Sequence, residues 1–180
     1  VSQQTSTPPA GSRYFHRADV QTANKKFGFI QFFEAANCIP LRGKSVSVSI
    51  HAKTTAAAIA NIRAAVLSWD GTADTLTSDV VSAWGASGSN ITPVANWTLE
   101  NTPANLALTS SWQTFTVENI ALDTAGLNNI AVFVWVDDTN ASVNDIFDLG
   151  WVKLEVGATA TEFIPPDYIT DRNKCKRFFY

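Results

Sequence analysis

The sequence predicts an all-β fold, an antiparallel β-sandwich of jelly-roll type followed by a short C-terminal helical segment. Three observations carry that expectation. Short runs rich in aromatic and β-branched residues recur along the 180 residues, separated by polar loops. One of them, 44–53 (KSVSVSIHAK), alternates strictly, with Val46, Val48, Ile50 and Ala52 on one face and Ser45, Ser47, Ser49 and His51 on the other. Neither heptads, a solenoid repeat nor a strand–helix alternation competes with the pattern.

Taken in order, residues 1–12 (VSQQTSTPPAGS) are polar and carry a Pro-Pro pair, so they are expected to be a linker ahead of a sandwich at 13–166. Strand signals follow at 27–33 (FGFIQFF), 44–53 and 62–69 (IRAAVLSW). Alanines between 54 and 65 imitate a helix, but Val66, Leu67 and the Asp70-Gly71 turn fit a loop and then a strand. A Gly/Ser/Asn-rich loop with Trp at both ends fills 84–97 (WGASGSNITPVANW). Alternation returns at 111–117 (SWQTFTV), 130–136 (IAVFVWV) is apolar on both faces like a central strand, and 146–156 (IFDLGWVKLEV) closes the series. About eight strands result, enough for two layers.

After them Gly157 lets the chain turn, and Pro165-Pro166 forbids extension of the last strand. Asp167 can then cap a helical segment at 167–180 that puts Tyr168 and Cys175 on one face. The final Arg-Phe-Phe-Tyr is expected along the sandwich or against a neighbouring chain.

Composition narrows the function. Charged residues are 16% of the chain and the net charge is −3, so no basic stripe exists to neutralise phosphates, and nucleic acid is not expected as a partner. The longest apolar run, 130–136, is far short of the ~20 residues that span a bilayer, so no membrane insertion is expected. Cys38 and Cys175 form neither a disulfide framework nor a ligand cluster and read as buried thiols. Methionine is absent even at position 1, and the chain is therefore expected to be a piece of a longer polypeptide.

Residues that could carry chemistry are few. Only His16 and His51 offer an imidazole base, and neither lies in a recognisable catalytic motif. His51, on the polar face with Ser47 and Ser49, reads either as part of a ligand-facing patch or as a solvated strand histidine. Asp137, Asp138, Asp145 and Asp148 are the densest acidic group. Loop carboxylates there, Asp145 and Asp148 first, suit a structural calcium ion; the alternative is a solvated turn.

Tryptophan is the informative residue type. Six indoles exceed the ordinary need of a core this size, and an indole offers the flat apolar face on which sugars stack. Trp135 and Trp151, inside apolar strands, belong to the core. Trp69 beside Asp70, and Trp84 and Trp97 flanking the long loop with Asn96, are candidate exposed platforms; the competing reading is that each is buried to pin its loop.

One resemblance covers most of 27–180. The segment Lys153-Leu154-Glu155-Val156-Gly157-Ala158-Thr159-Ala160-Thr161-Glu162-Phe163, followed by Cys175-Lys176-Arg177-Phe178-Phe179, resembles the ending QLE-x-G-x-x-AT-x-F … C-x-R-Y-Y of jelly-roll domains in bacteriophage tail-fibre and receptor-binding proteins. Upstream, Gln31 to Glu34, Leu41 to Lys44 and Val46 to Lys53 are similar to that family's iQ-x-x-E … LRGK-x-V-x-x-SfwaK block, and 111–117 to its next strand. Lys153 stands in place of the usual Gln, His51 in place of an aromatic, and Asp171-Arg172 in place of Glu-Leu.

The resemblance implies a virion or extracellular location on a phage tail. It implies a non-catalytic domain, similar in architecture to carbohydrate-binding modules, that attaches to host-surface glycans. Trp69, Trp84, Trp97 and His51 would supply its apolar contacts, with Asp70 and Asn96 as polar partners. A single shallow sugar site at millimolar affinity contributes only about 4 kcal/mol, so a homotrimer within a longer fibre would be needed for firm attachment. Two other readings stay open: a structural or trimerisation domain without a ligand, and an accessory module of a secreted polysaccharide hydrolase or depolymerase.

Overall fold

The computed structural model of the protein describes residues 1–138 and 140–165. Among them the strands are β1 Ser2–Gln4, β2 Phe15–Asp19, β3 Gly28–Phe33, β4 Ser45–Thr54, β5 Asn61–Trp69, β6 Val81–Ala83, β7 Thr92–Pro93, β8 Trp97–Leu99, β9 Leu106–Ala107, β10 Gln113–Ala121, β11 Asn129–Val136 and β12 Ile146–Val156. A single helical turn, Ala35–Cys38, runs into a 3₁₀ turn at Ile39–Leu41. The helical segment expected at 167–180 lies outside the described residues.

Two antiparallel sheets face each other. The first has the order β1-β2-β12-β4-β10 and the second β3-β11-β5-β8, with β9 also on β5. Strands that follow one another in sequence, such as β4 and β5, or β10, β11 and β12, fall in opposite sheets. Each such link therefore crosses the sandwich, the connectivity expected of a jelly roll. The alternation seen in 44–53 sets the interior. Val46, Val48, Ile50 and Ala52 point inward from β4 against Ile62, Ala64 and Val66 of β5 and Ile130, Val132 and Val134 of β11.

The second sheet is buried on its other side as well, which explains why β5 and β11 read as nearly continuous apolar runs. Ala65, Leu67, Trp69, Ala131, Phe133 and Trp135 form a further core on that outer face. The long connection from 70 to 105 roofs it, contributing Val80, Ile91 and Trp97. Burial of an indole there supplies roughly 3 kcal/mol or more of driving force at about 25 cal/mol per Å².

Charge fastens this roof. Asp137 is buried and its carboxylate sits 3.2 Å from Lys26 Nζ and 3.3 Å from Arg63 Nε. The same carboxylate accepts the Gly88 N–H at 2.7 Å. Arg63 donates onward to Asn105 Oδ1, Asn90 Oδ1 and the Gly88 and Pro103 carbonyls. One buried guanidinium thus satisfies loop oxygens that would otherwise be desolvated without partners.

One expectation changes at the N-terminal end. Residues 1–12, expected as a linker, supply β1, which pairs with β2, and Pro9 is buried. Its ring lies over Gly150, where an added Cβ would come within 2.8 Å of the Pro9 ring. Cys38 is a free, buried thiol, and burial pushes its pKa up. Cys175 lies outside the described residues.

Candidate functional site

Among the described residues no long connection roofs the outer face of the first sheet, and the candidate site is built on it. Because Val48, Ile50 and Ala52 face inward on β4, Ser49, His51 and Lys53 face outward. Thr114 of β10 lies directly across from His51 on one side, and Trp151 of β12 on the other. Thr116 likewise lies across from Ser49.

Trp151 reaches this face through a β-bulge, which corrects its expected place in the core. Phe147, Leu149 and Trp151 would share one face of a regular strand. Between Leu149 and Trp151 the register against β4 shifts by one residue, from Leu149↔Ala52 to Trp151↔His51. Gly150 is the extra residue, so Leu149 stays inside while Trp151 turns out. A side chain at 150 would press on the His51 carbonyl at 3.1 Å and the Trp112 ring at 3.2 Å.

The outcome is a row of stacked rings. His51 lies between Trp112, 5.4 Å away with the planes 10° apart, and Trp151, 5.2 Å away at 9°. Trp151 in turn stacks on Phe163 at 4.4 Å and 15°. The His51 Nδ1 is 2.8 Å from Thr114 Oγ1, and burial lowers the imidazole pKa, favouring the neutral ring. His51 is therefore part of an aromatic stack rather than a solvated strand histidine.

Beside the stack runs a groove of about 380 Å³ lined by Ser49, His51, Thr114, Thr116, Trp151 and the 160–163 segment, with Ala10 at its end. Its floor is rich in hydroxyls, and the Ser49 hydroxyl is buried without a hydrogen-bond partner among the described residues. Its far wall is tied to the sheet. Lys153 donates to Thr161 Oγ1 at 2.6 Å and to the Thr161 and Glu162 carbonyls, while Glu155 accepts the Thr161 N–H and hydroxyl at 2.7 and 2.6 Å. Glu118 accepts the Ala160 N–H at 2.9 Å.

These contacts hold the Glu155 carboxyl well below its ordinary range, at about 2, through the Thr161 hydroxyl and N–H first and Lys153 next. A depressed carboxyl pKa stabilises the docked wall above the unfolded value, near 4.5, and that contribution is lost as pH falls towards about 2. The Trp151–Phe163 stack is thus expected to loosen between pH 4.5 and 2, seen as a change at the Trp151 indole resonance in NMR. Glu155→Gln should abolish that titration.

The other sequence candidates lie elsewhere. Trp69 and Trp97, expected as exposed platforms, are each only 4% exposed and pack against one another at 5.2 Å beneath the roof. Their indole N–H groups are satisfied locally, by the Thr72 carbonyl and Thr77 Oγ1. Asp70 and Asn96 are exposed above them, joined by a hydrogen bond from the Asp70 N–H to the Asn96 carbonyl, with no indole face beside them to complete a sugar platform. Trp84 is 42% exposed and leans on Phe133 at 6.0 Å, far around the molecule from the groove.

The calcium expectation is corrected by the partners already present. Asp148 is fully buried and bound in bidentate fashion by Arg17 at 2.8 and 2.9 Å, with Lys53 at 3.8 Å. Asp145 accepts the Ser142 N–H in a turn. Among the described residues no cluster of three His, Cys, Asp or Glu is placed to hold a metal ion. Trp112, stacked on His51 beside the candidate groove, is the residue that sequence reasoning passed over, although the alternation in 111–117 puts it on the same face as Thr114 and Thr116.

A second cleft, about 410 Å³, opens between the sheets beside β3 and β12. Its lining of Phe29, Phe33, Val132, Leu149 and Leu154 is apolar, and among the described residues His16 and Gln31 add the polar side chains, a poor match for a ligand covered in hydroxyls.

Comparison with solved structures agrees with the architecture. A CBM4 carbohydrate-binding module aligns with a TM-score of 0.50 at 14% identity, over 79% of this chain and 71% of that one. The sandwich is similar to that of a carbohydrate-binding module. The tailspike protein 4 enzymatically active domain of bacteriophage CBA120 aligns with a TM-score of 0.52 at 13% identity, over 86% of this chain. This chain spans 17% of the tailspike chain. TmCBM61 in complex with β-1,4-galactotriose aligns more loosely, with a TM-score of 0.43 at 13% identity over 82% of this chain and 74% of that one. At such identities the likeness is one of fold. No protein-family model and no curated relative matches the sequence.

Proposed function

We propose that the protein is a non-catalytic glycan-binding domain resembling a carbohydrate-binding module, and that its ligand lies in the groove on the outer face of the first sheet. The observation that carries this reading is the pairing, in one concave site, of an aromatic wall with a hydroxyl floor that includes the unpartnered Ser49 Oγ. Saccharides present apolar C–H groups and a dense fringe of hydroxyls; the edges of the stacked rings offer apolar contact to the first, and the Ser49, Thr114 and Thr116 hydroxyls offer partners to the second. A binding role without catalysis suits the nearby carboxylates: Glu155 and Glu118 are committed to holding the 160–161 backbone.

The setting we propose is a phage tail fibre or related receptor-binding protein, attached to host-surface glycan and displayed in several copies on the virion. The ordered motif resemblance supports it, and the shared sandwich of the tailspike neighbour is compatible with it. A homotrimer would raise the apparent affinity of a weak site by about a hundredfold or more.

The direct test fills the groove from its exposed side. Thr116 faces outward on β10 and lines the groove, so Thr116→Trp is expected to abolish binding on a glycan array while leaving the melting temperature within about 2 °C of wild type. Retained binding by that variant would place the ligand elsewhere.

A further inference from the structure

Charge on the groove face narrows the ligand class, an inference that rests on the glycan-binding reading. Among the described residues of β2, β4 and β12, three cations face outward on this side, and each is engaged. Arg17 is held by both oxygens of Asp148. Lys53 is 3.8 Å from Asp148 and 4.9 Å from the centre of the Trp112 ring. Lys153 is 2.9 Å from Glu155 and donates three hydrogen bonds to the 161–162 segment. The carboxylates are less balanced. Glu118 and Glu155 flank the segment, and Glu162, which lines the groove, is exposed and has no side-chain partner among the described residues.

We infer that the groove selects uncharged or amine-bearing saccharides and rejects acidic ones such as uronate, sialate or phosphorylated glycans. An anionic sugar would approach three carboxylates, and it would have to displace an existing ion pair or lose its hydration without gaining a free cation among the described residues. A neutral sugar meets only hydroxyls, backbone and ring edges. An ammonium group gains the Glu162 carboxylate as a partner.

The experiment uses the full chain and a printed array of neutral, amine-bearing and acidic oligosaccharides, followed by titration calorimetry with β-1,4-linked hexasaccharides of glucose, glucosamine and glucuronic acid. Retention on neutral or amine-bearing members, with acidic members blank, is the expected result. Glu162→Lys should weaken amine-bearing ligands relative to neutral ones and strengthen acidic ones relative to neutral ones, each by about two- to fivefold, an effect that fades with added salt. Preferential binding of acidic members by the wild type would overturn the inference while leaving the glycan reading intact. An array blank in every class would remove the glycan reading itself, and this inference with it.

Discussion

Asp137→Ala is expected to cost about 3–5 kcal/mol of unfolding free energy, because it strands two buried cations. Lys26 and Arg63 are each almost wholly excluded from water, and Asp137 is their shared counter-charge. Removing it also frees the Gly88 N–H and unsettles the guanidinium that holds the Asn90, Asn105, Gly88 and Pro103 oxygens. The roof over the second sheet should loosen before the sandwich itself. Urea unfolding followed by tryptophan emission reads both events, since Trp69, Trp97 and Trp135 all report on the roofed core. A loss below about 1 kcal/mol would mean that water reaches these cations and screens them.

Trp97→Ala is expected to lower stability by about 3–5 kcal/mol, the range for truncating a buried aromatic. The ring packs on Trp69 and on Phe32 at 5.7 Å, and its N–H is bonded to Thr77. Truncation leaves a cavity that neighbouring β-strands cannot collapse to fill. The matched substitution Trp84→Ala, at the exposed end of the same loop, should change stability by no more than about 1 kcal/mol. Chemical denaturation of the two variants side by side is decisive, and equal losses would contradict the burial contrast between these rings.

The strands were legible in the sequence because most of them face one core and one other environment. Val46, Val48, Ile50 and Ala52 announce their face by strict alternation, and the apolar run of β11 announces burial on both sides. What covers the second side was not legible. Periodicity shows that Ala131, Phe133 and Trp135 share a face, but nothing local shows that a distant loop carrying Val80, Ile91 and Trp97 will fold over it. Surplus indoles therefore resembled ligand platforms when two of them, Trp69 and Trp97, are the roof's own core.

The groove was hidden for a different reason. His51 was identified as facing outward, but its stacking partners depend on the pairing of β4 with both β10 and β12. Those partners are set by register, a non-local quantity. Charge was similarly ambiguous. A cluster of aspartates suits a cation equally well whether it is calcium or a side chain, and only the folded positions of Arg17, Lys26, Lys53 and Arg63 decide between them.

Position 150 acts on the last strand as a phase shifter. Upstream of it the odd-numbered side chains Phe147 and Leu149 point into the sandwich; downstream the parity inverts, with Val152 and Leu154 inward and Trp151, Lys153 and Glu155 outward. With that extra residue in place Leu149 stays paired with Ala52 and Trp151 with His51, so both keep their sides although both carry odd numbers. For this sequence phase the ring stack and the clamp on the far wall both depend on the same surplus backbone unit, at a position where a side chain would meet Pro9, the His51 carbonyl and Trp112.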